Sequence, residues 1–187
     1  MKLHRFNDDG RYTSTVLTTE EGASYEDQTR IFIGDADPRT QYHDIANDCP
    51  VDKPPQPSTA HIFDYTTKTW IDPRTLQDFK DAQWALIKSA RNTAEYAGFV
   101  WGGSAFDSDA LSQGRITGAV TMAQMTPTFT IDWTLADNTV RTLTAIQMIG
   151  VGVALGAHVE AQFSHGQALR VQIEAAATSA EVLLIVW

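Results

Sequence analysis

A single cysteine, Cys49, stands in this 187-residue chain, so no disulfide can form within it and packing alone must hold the fold. Positive charge is scarce as well. Fourteen lysines and arginines face 23 aspartates and glutamates, for a net charge of −9, and nowhere do the basic residues gather into a stripe. A nucleic-acid binder needs such clusters to neutralise phosphates, so that class is set aside. Long apolar runs are also missing. The most apolar interior stretch, Met148 to Ala157, spans 10 residues, against the ~20 that a membrane helix requires. The N-terminus, Met-Lys-Leu-His-Arg-Phe-Asn-Asp-Asp-Gly, lacks the apolar core of a signal peptide. The expectation is a soluble protein made in the cytoplasm, with no membrane insertion.

Signatures of chemistry are equally thin. There is no Gly-x-Ser-x-Gly elbow, no second cysteine and no His-x-His. What the chain does have is length: about 190 residues bury on the order of 70% of their unfolded surface, enough for a real core. Its acidity is uneven, with 7 basic and 13 acidic residues in 1–72 but 7 and 10 in 73–187. The first part is therefore the more solvated. No internal repeat is visible.

The first seventy residues read as short strands and loops. Leu3–Phe6 and Arg11–Val16 flank Asn7-Asp-Asp-Gly10, a turn suited to a hairpin because Asn and Gly tolerate positive φ. Arg30–Ile33 reads as another strand. From Gly34 to Pro57 the sequence is rich in Pro and Asp without periodicity, which predicts an irregular, linker-like passage ending in an extended polyproline segment. His61–Tyr65 and Thr69–Ile71, joined at Thr66-Thr-Lys68, form a second hairpin pattern.

Helices follow. Asp72 can cap the first, with Pro73 in its opening turn; Phe79, Ala82, Leu86 and Ala90 form one stripe, widened by Leu76, Ile87 and Ala94, and Gly98 ends it. Two aromatic strands then turn at Gly102-Gly103. A second helix runs from Asp109 to Met125, with Leu111, Ile116, Ala119, Val120 and Ala123 inward, and stops before Pro127. Phe129 to Leu143 is a second aromatic hairpin. The longest helix begins at Thr144, which makes a capping-box pattern with Gln147, and runs to about Ala177. Its apolar contributors are Ile146, Ile149, Val153, Ala157, Phe163, Leu169 and Ile173. Gly150, Gly152, Gly156 and Gly166 each weaken it by about 1 kcal/mol, so close approach of another backbone is expected on the face shared by Gly152 and Gly156. A break near Gly166 is the alternative. Thr178 and Glu181 can cap a last turn before Val182-Leu-Leu-Ile-Val-Trp187. The fold class is α+β: a β-rich irregular arm over 1–72, then an α–ββ–α–ββ–α domain over 73–187 with a long C-terminal helix.

Candidate sites are weighed against plainer roles. Asp107-Ser-Asp109 has the D-x-D form of divalent-cation sites, but a hard cation wants six or more oxygens, and acidic residues opening a helix satisfy free N–H groups. Capping is the reading adopted. His158 and His165 lie seven apart, too far for one ion on one helix; only across an oligomer axis could each meet its own copies. His43-Asp44 and Asp48-Cys49 could pair a nucleophile with a base, yet nothing in the sequence positions them, and solvated loop residues are expected. Glu95 and Glu160 form no readable acid pair. Trp101 and Trp133 alternate with other apolar residues along strands, as a half-buried sheet requires. No catalytic residue, cofactor or metal is assigned. The interface candidates are Trp70, at a hairpin edge, Trp84, on the less apolar helix face, the Gly152 and Gly156 pair, and the tail of Val182, Leu183, Leu184, Ile185, Val186 and Trp187. A greasy free end is a liability unless it adds a strand to its own sheet or docks on a neighbour.

The order Gly98-Phe-Val-Trp-Gly-Gly-Ser-Ala-Phe-Asp-Ser-Asp109, then Ile116-Thr-Gly-Ala119, then Asp132-Trp-Thr…Asp137-Asn138 resembles a family of unknown-function domains from tailed bacteriophages, found beside or within tail-fibre and tail-fibre-assembly genes. The resemblance covers roughly residues 80–177. It implies a non-enzymatic structural component of the virion tail, at a distal fibre or baseplate. Such a protein is made in the host cytoplasm and contacts other tail or fibre proteins and its own copies, a trimer being favoured by the fibre analogy. The alternative it implies is a tail-fibre assembly chaperone that binds the fibre tip. An enzyme acting on host surface glycans is a third class. The family supplies no catalytic residues to carry over.

Overall fold

The chain folds as two units in the computed structural model, which describes residues 2–17 and 31–187: Met1–Arg74 and Thr75–Trp187. In the first, β1 (Lys2–Phe6), β2 (Tyr12–Leu17) and β3 (Ile31–Ile33) form an antiparallel sheet in the order β2-β1-β3. Arg30, expected to begin the third strand, lies outside the described residues. The turn between β1 and β2 needs its glycine: Gly10 sits at φ +80°, and a Cβ there would collide with the His43 carbonyl.

The Pro-rich passage is not a linker. It contains a hairpin of β4 (Gln41–Asp44) and β5 (Cys49–Asp52), with Pro50 opposite His43. The hairpin is concealed in the sequence because its stability comes from one side chain. His43 is fully buried, stacked on Phe6 with ring centres 3.9 Å apart and flanked by Tyr12 and Phe32. Asp44 and Asp48 serve the turn, Asp44 accepting from the Ala46 N–H and the Asn47 amide. The hairpin β6 (Ile62–Asp64) and β7 (Thr69–Ile71) forms where expected and buries Phe63 against Tyr42, Tyr65 and Trp70.

In the second unit the first helix, α1 (Leu76–Glu95), starts later than Asp72 and Pro73 suggest. Thr75 is its cap, in a reciprocal capping box with Asp78, because Asp78 stands three residues on to return the bond. Asp72 instead holds Arg74, whose guanidinium keeps its carboxyl down at about 2. The buried stripe of α1 is Phe79, Gln83 and Ile87, and Leu86 faces solvent. Gln83 belongs inside because its amide donates to the Ile185 carbonyl at 2.5 Å.

The hairpin of β8 (Phe99–Trp101) and β9 (Ser104–Phe106) follows, then α2 (Ala110–Met125), β10 (Thr130–Thr134), β11 (Val140–Thr144), α3 (Ala145–Ala175) and α4 (Ser179–Leu183). The fold is α+β, small antiparallel sheets followed by helices interleaved with hairpins. Helix α3 keeps the Thr144–Gln147 capping box and runs unbroken for 31 residues through Gly166, about 47 Å at the usual rise. Its buried residues are Ala145, Met148, Val151, Leu155, Gly166, Leu169 and Ile173. Of the residues expected inward, Ile146 is 83% exposed, Val153 69% exposed and Phe163 largely outside; on α2, Leu111 is likewise exposed. The main core joins Phe99, Phe106, Ile116, Leu143, Met148 and Val151. No helix among the described residues is long and apolar enough to cross a membrane.

One buried polar junction ties four elements together. The Ser108 hydroxyl, fully buried, donates to the Glu95 carbonyl at 2.5 Å and accepts the Gly98 N–H at 2.9 Å. Gln113 donates to the Glu95 carboxylate and the Ser108 carbonyl, and the His158 imidazole meets the Glu95 carbonyl at 3.0 Å. Replacing Ser108 by Ala leaves the Gly98 N–H without its acceptor and the Glu95 carbonyl with the His158 imidazole alone, and should cost about 1–3 kcal/mol in a urea titration. Ile87→Ala should cost about 2–5 kcal/mol, whereas Leu86→Ser should stay within about 0.5 kcal/mol of the parent.

Candidate interaction surface

The open face of α3 borders a concavity. Helix α2 lies along the N-terminal half of α3, and between them runs a groove of about 870 Å³ lined by Gln113, Ile116, Thr117, Val120 and Gln124 from α2 and by Ile149, Gly152, Val153, Leu155, Gly156, Val159, Glu160, Phe163, Ser164 and Gln167 from α3. Its depth has a local cause. A Cβ at Gly152 would stand 2.6 Å from Val120 Cγ2, so the glycine lets the α2 valine sink against the α3 backbone. The approach expected at Gly152 is thus made by a side chain of the same chain. Gly156, one turn on, has nothing within 4 Å of a built Cβ and opens into the groove. At the far end the Arg91 guanidinium lies 4.4 Å from the centre of the Phe163 ring.

The groove carries one charged residue, Glu160. A smaller pocket of about 640 Å³ lies between α2 and β10, with Phe129, Ile131 and Trp133 as apolar wall and Asp107 and Arg115 at its rim. A third, shallow depression is formed by α1 and Trp187.

The sequence candidates are not gathered into one site. Asp109 caps α2, accepting from the Leu111 and Ser112 N–H groups, and the Ser112 hydroxyl bond holds its carboxyl below the usual range. Asp107 is exposed nearby. His158 is spent on the Glu95 carbonyl and stacks on Phe99, while His165 meets Trp187 edge to face. Glu95 is held by Gln113 at the polar junction and does not line the groove with Glu160. His43 is no solvated loop residue: it is buried, with Nε2 3.0 Å from Asp48 Oδ1 and Nδ1 3.3 Å from the Tyr12 hydroxyl. Burial, with Cys49 adding to it, pushes the Tyr12 hydroxyl up to about 12, so this phenol stays neutral. Among the described residues no group of three or more His, Cys, Asp or Glu is placed to hold a metal ion.

The proposed interface residues have divided fates. Trp70 is half-buried and donates to the Pro54 carbonyl at 2.7 Å. Trp84 is half-buried under the Arg170 guanidinium, 5.0 Å from its ring centre. The tail forms no strand. Thr178 and Glu181 cap α4 as expected, and Val182 is wholly buried. Ile185 and Trp187 pack on Ile87, Leu169 and Ile173, while Leu183, Leu184 and Val186 point outward. Sequence reasoning missed Gln83, Ser108 and Arg91, polar residues whose roles depend on distant partners, and it placed Val120 inward without its partner Gly152. Only the Gly152–Val120 fit had a local hint, a glycine inside a helix.

That fit is testable. Gly152→Val should lower stability by about 1–3 kcal/mol through overpacking. Adding Val120→Ala to it should restore more than half of the loss, read as the shift of the denaturant midpoint.

No curated protein and no solved structure matches the chain. Residues 78–186, from the first turn of α1 to the penultimate residue, match the family model described as Domain of unknown function (DUF4376). That stretch holds every element of the second unit and more than half of the 187 residues, and the chain therefore belongs to this family of unknown function.

Proposed function

We propose that the chain is a non-enzymatic structural protein of a bacteriophage tail, at a distal fibre or baseplate, working through protein–protein contacts. The observation that carries the reading is the groove along α2 and α3: about 870 Å³, apolar along its floor, with Glu160 as the one acidic residue in its lining. Such a surface offers area to another polypeptide, with the amides and hydroxyls of Gln113, Thr117, Gln124, Ser164 and Gln167 among its apolar residues, and it gathers no cluster of charged groups for a small substrate. The placement in a tail rests on the resemblance of the Phe-Asp-Ser-Asp, Ile-Thr-Gly-Ala and Asp-Trp-Thr stretches to domains from tail-fibre genes.

A second reading, the tail-fibre assembly chaperone, is favoured by the first unit. Its sheet ends in β2 and β3, whose Val16, Leu17 and Ile33 are exposed. Apolar side chains on edge strands suit transient strand addition to a folding partner.

Quantitative mass spectrometry of purified virions separates the two. A structural subunit is present in fixed ratio to the other tail proteins; a chaperone is absent from mature particles and co-purifies with the unassembled fibre. Absence from both preparations sinks the structural and the chaperone readings alike.

A further inference from the structure

Among the described residues nothing accounts for a glycine at 156. Glycine inside a helix costs about 1 kcal/mol relative to alanine, and here a methyl group would meet only open space. The face centred on it reads alike in both directions. Val153 and Val159 stand three residues to either side, Ile149 and Phe163 seven to either side. At 100° per residue all four fall within about 60° of Gly156 around the helix. A row with this symmetry is complementary to itself when a second helix crosses it antiparallel, setting valine on valine and Ile149 on Phe163.

We propose that two copies of the chain pair antiparallel through α3, crossing at Gly156, each laying its helix in the other's α2–α3 groove. The inference rests on the structural role proposed above and names its first partner, a second copy.

Charge selects both the occupant and the direction. For a chain of net charge −9, self-association needs a face nearly free of carboxylates, and this groove has only Glu160. In the antiparallel pair Glu160 lies opposite Gly152 of the other copy, four residues either side of the crossing. A parallel pair, or the parallel trimer that a fibre analogy favours, would stack Glu160 on its own copies inside a low-dielectric seam, where like charges repel strongly. Area is compatible with a pair. About a crossing at Gly156, Ile146 lies level with Gly166 of the other copy, so the overlap is about 30 Å long and, with the flanking α2, about 20 Å wide. Mutual burial is then on the order of 600 Å² per copy, the lower end of the range for stable interfaces.

Light scattering after size exclusion should give about 41 kDa, twice the 20.6 kDa of the chain. In a Cys49→Ser background, Gly156→Cys should cross-link to a dimer on mild oxidation, since the two copies approach within disulfide reach, about 7 Å or less between Cα atoms. Val171→Cys should not, because antiparallel copies place that position about 45 Å from its mate. Gly156→Leu should keep the helical circular-dichroism signal and weaken pairing at least about a hundredfold. A 20.6 kDa species persisting to about 100 µM, a trimeric mass, equal cross-linking at 156 and 171, or a Gly156→Leu variant that still dimerises, would each overturn the proposal. A monomer found in virions defeats this pairing alone, and a dimer missing from virions defeats the structural role alone.

Discussion

Helix α3 has one face turned to α1 and α2, another to the β8–β9 hairpin and β11, and a third that no described residue of its own unit covers. The rest of the second unit follows from how these faces are supplied. Helices α1 and α2 are 20 and 16 residues long and lie end to end along α3, because a 31-residue helix outruns either alone. Where they meet, α1 ends and α2 begins, and free carbonyls and N–H groups would be stranded in the interior. The Ser108 hydroxyl, the Gln113 amide and the His158 imidazole meet that need at one point, around the Glu95 carbonyl. A continuous spine thus requires a polar junction beside it, and residues that suggest catalysis in the sequence are consumed in building it.

What could be read from the sequence was local. The caps at Asp109, Thr144 and Thr178 form because each side chain reaches an N–H two or three residues away, a distance the sequence itself sets. The glycine turns at Gly10 and Gly102-Gly103 are legible for the same reason. Facing was not legible on α3. That helix is apolar nearly all round, with Ile146, Val153 and Val171 exposed and Met148, Val151 and Leu155 buried, so periodicity could not tell the core face from the open one. On α1, Leu86 and Ile87 are adjacent, and only the tail's position decides between them. The hairpin at 41–52 was hidden because prolines signal irregularity, whereas the stacking of His43 on Phe6 joins residues far apart in the sequence.

An interaction surface of this kind differs from a catalytic one in what sequence can reveal. Catalysis needs converging polar groups, which leave a motif; a docking face needs only an apolar helix side left without a mate. That is an absence of cover, visible after the fold is known. The same applies to Gly152 and Gly156, indistinguishable as residues in a pattern. One is explained by Val120 within the chain, and the other is left without an intramolecular partner.

The tail obeys the same geometry on a smaller scale. After α4 the chain returns over α1 and α3 with successive residues on alternate sides: Ile185 and Trp187 inward, Leu184 and Val186 outward. The Gln83 bond to the Ile185 carbonyl fixes that alternation, since sliding by one residue would bury Leu184 and Val186 and expose the tryptophan. Anchoring the tail thus accounts for half of its apolar residues and strands the other half in water. Leu184, 81% exposed, has no role in holding this subunit together. Among the described residues, the helical face of the second unit thus presents the α2–α3 groove and the outer side of the tail as uncovered apolar features. The groove has the self-complementary row and the low charge that a second copy requires, whereas the tail offers isolated side chains beside a shallow depression on α1. Pairing through the groove leaves the outer side of the tail as a separate apolar feature, available to a different protein.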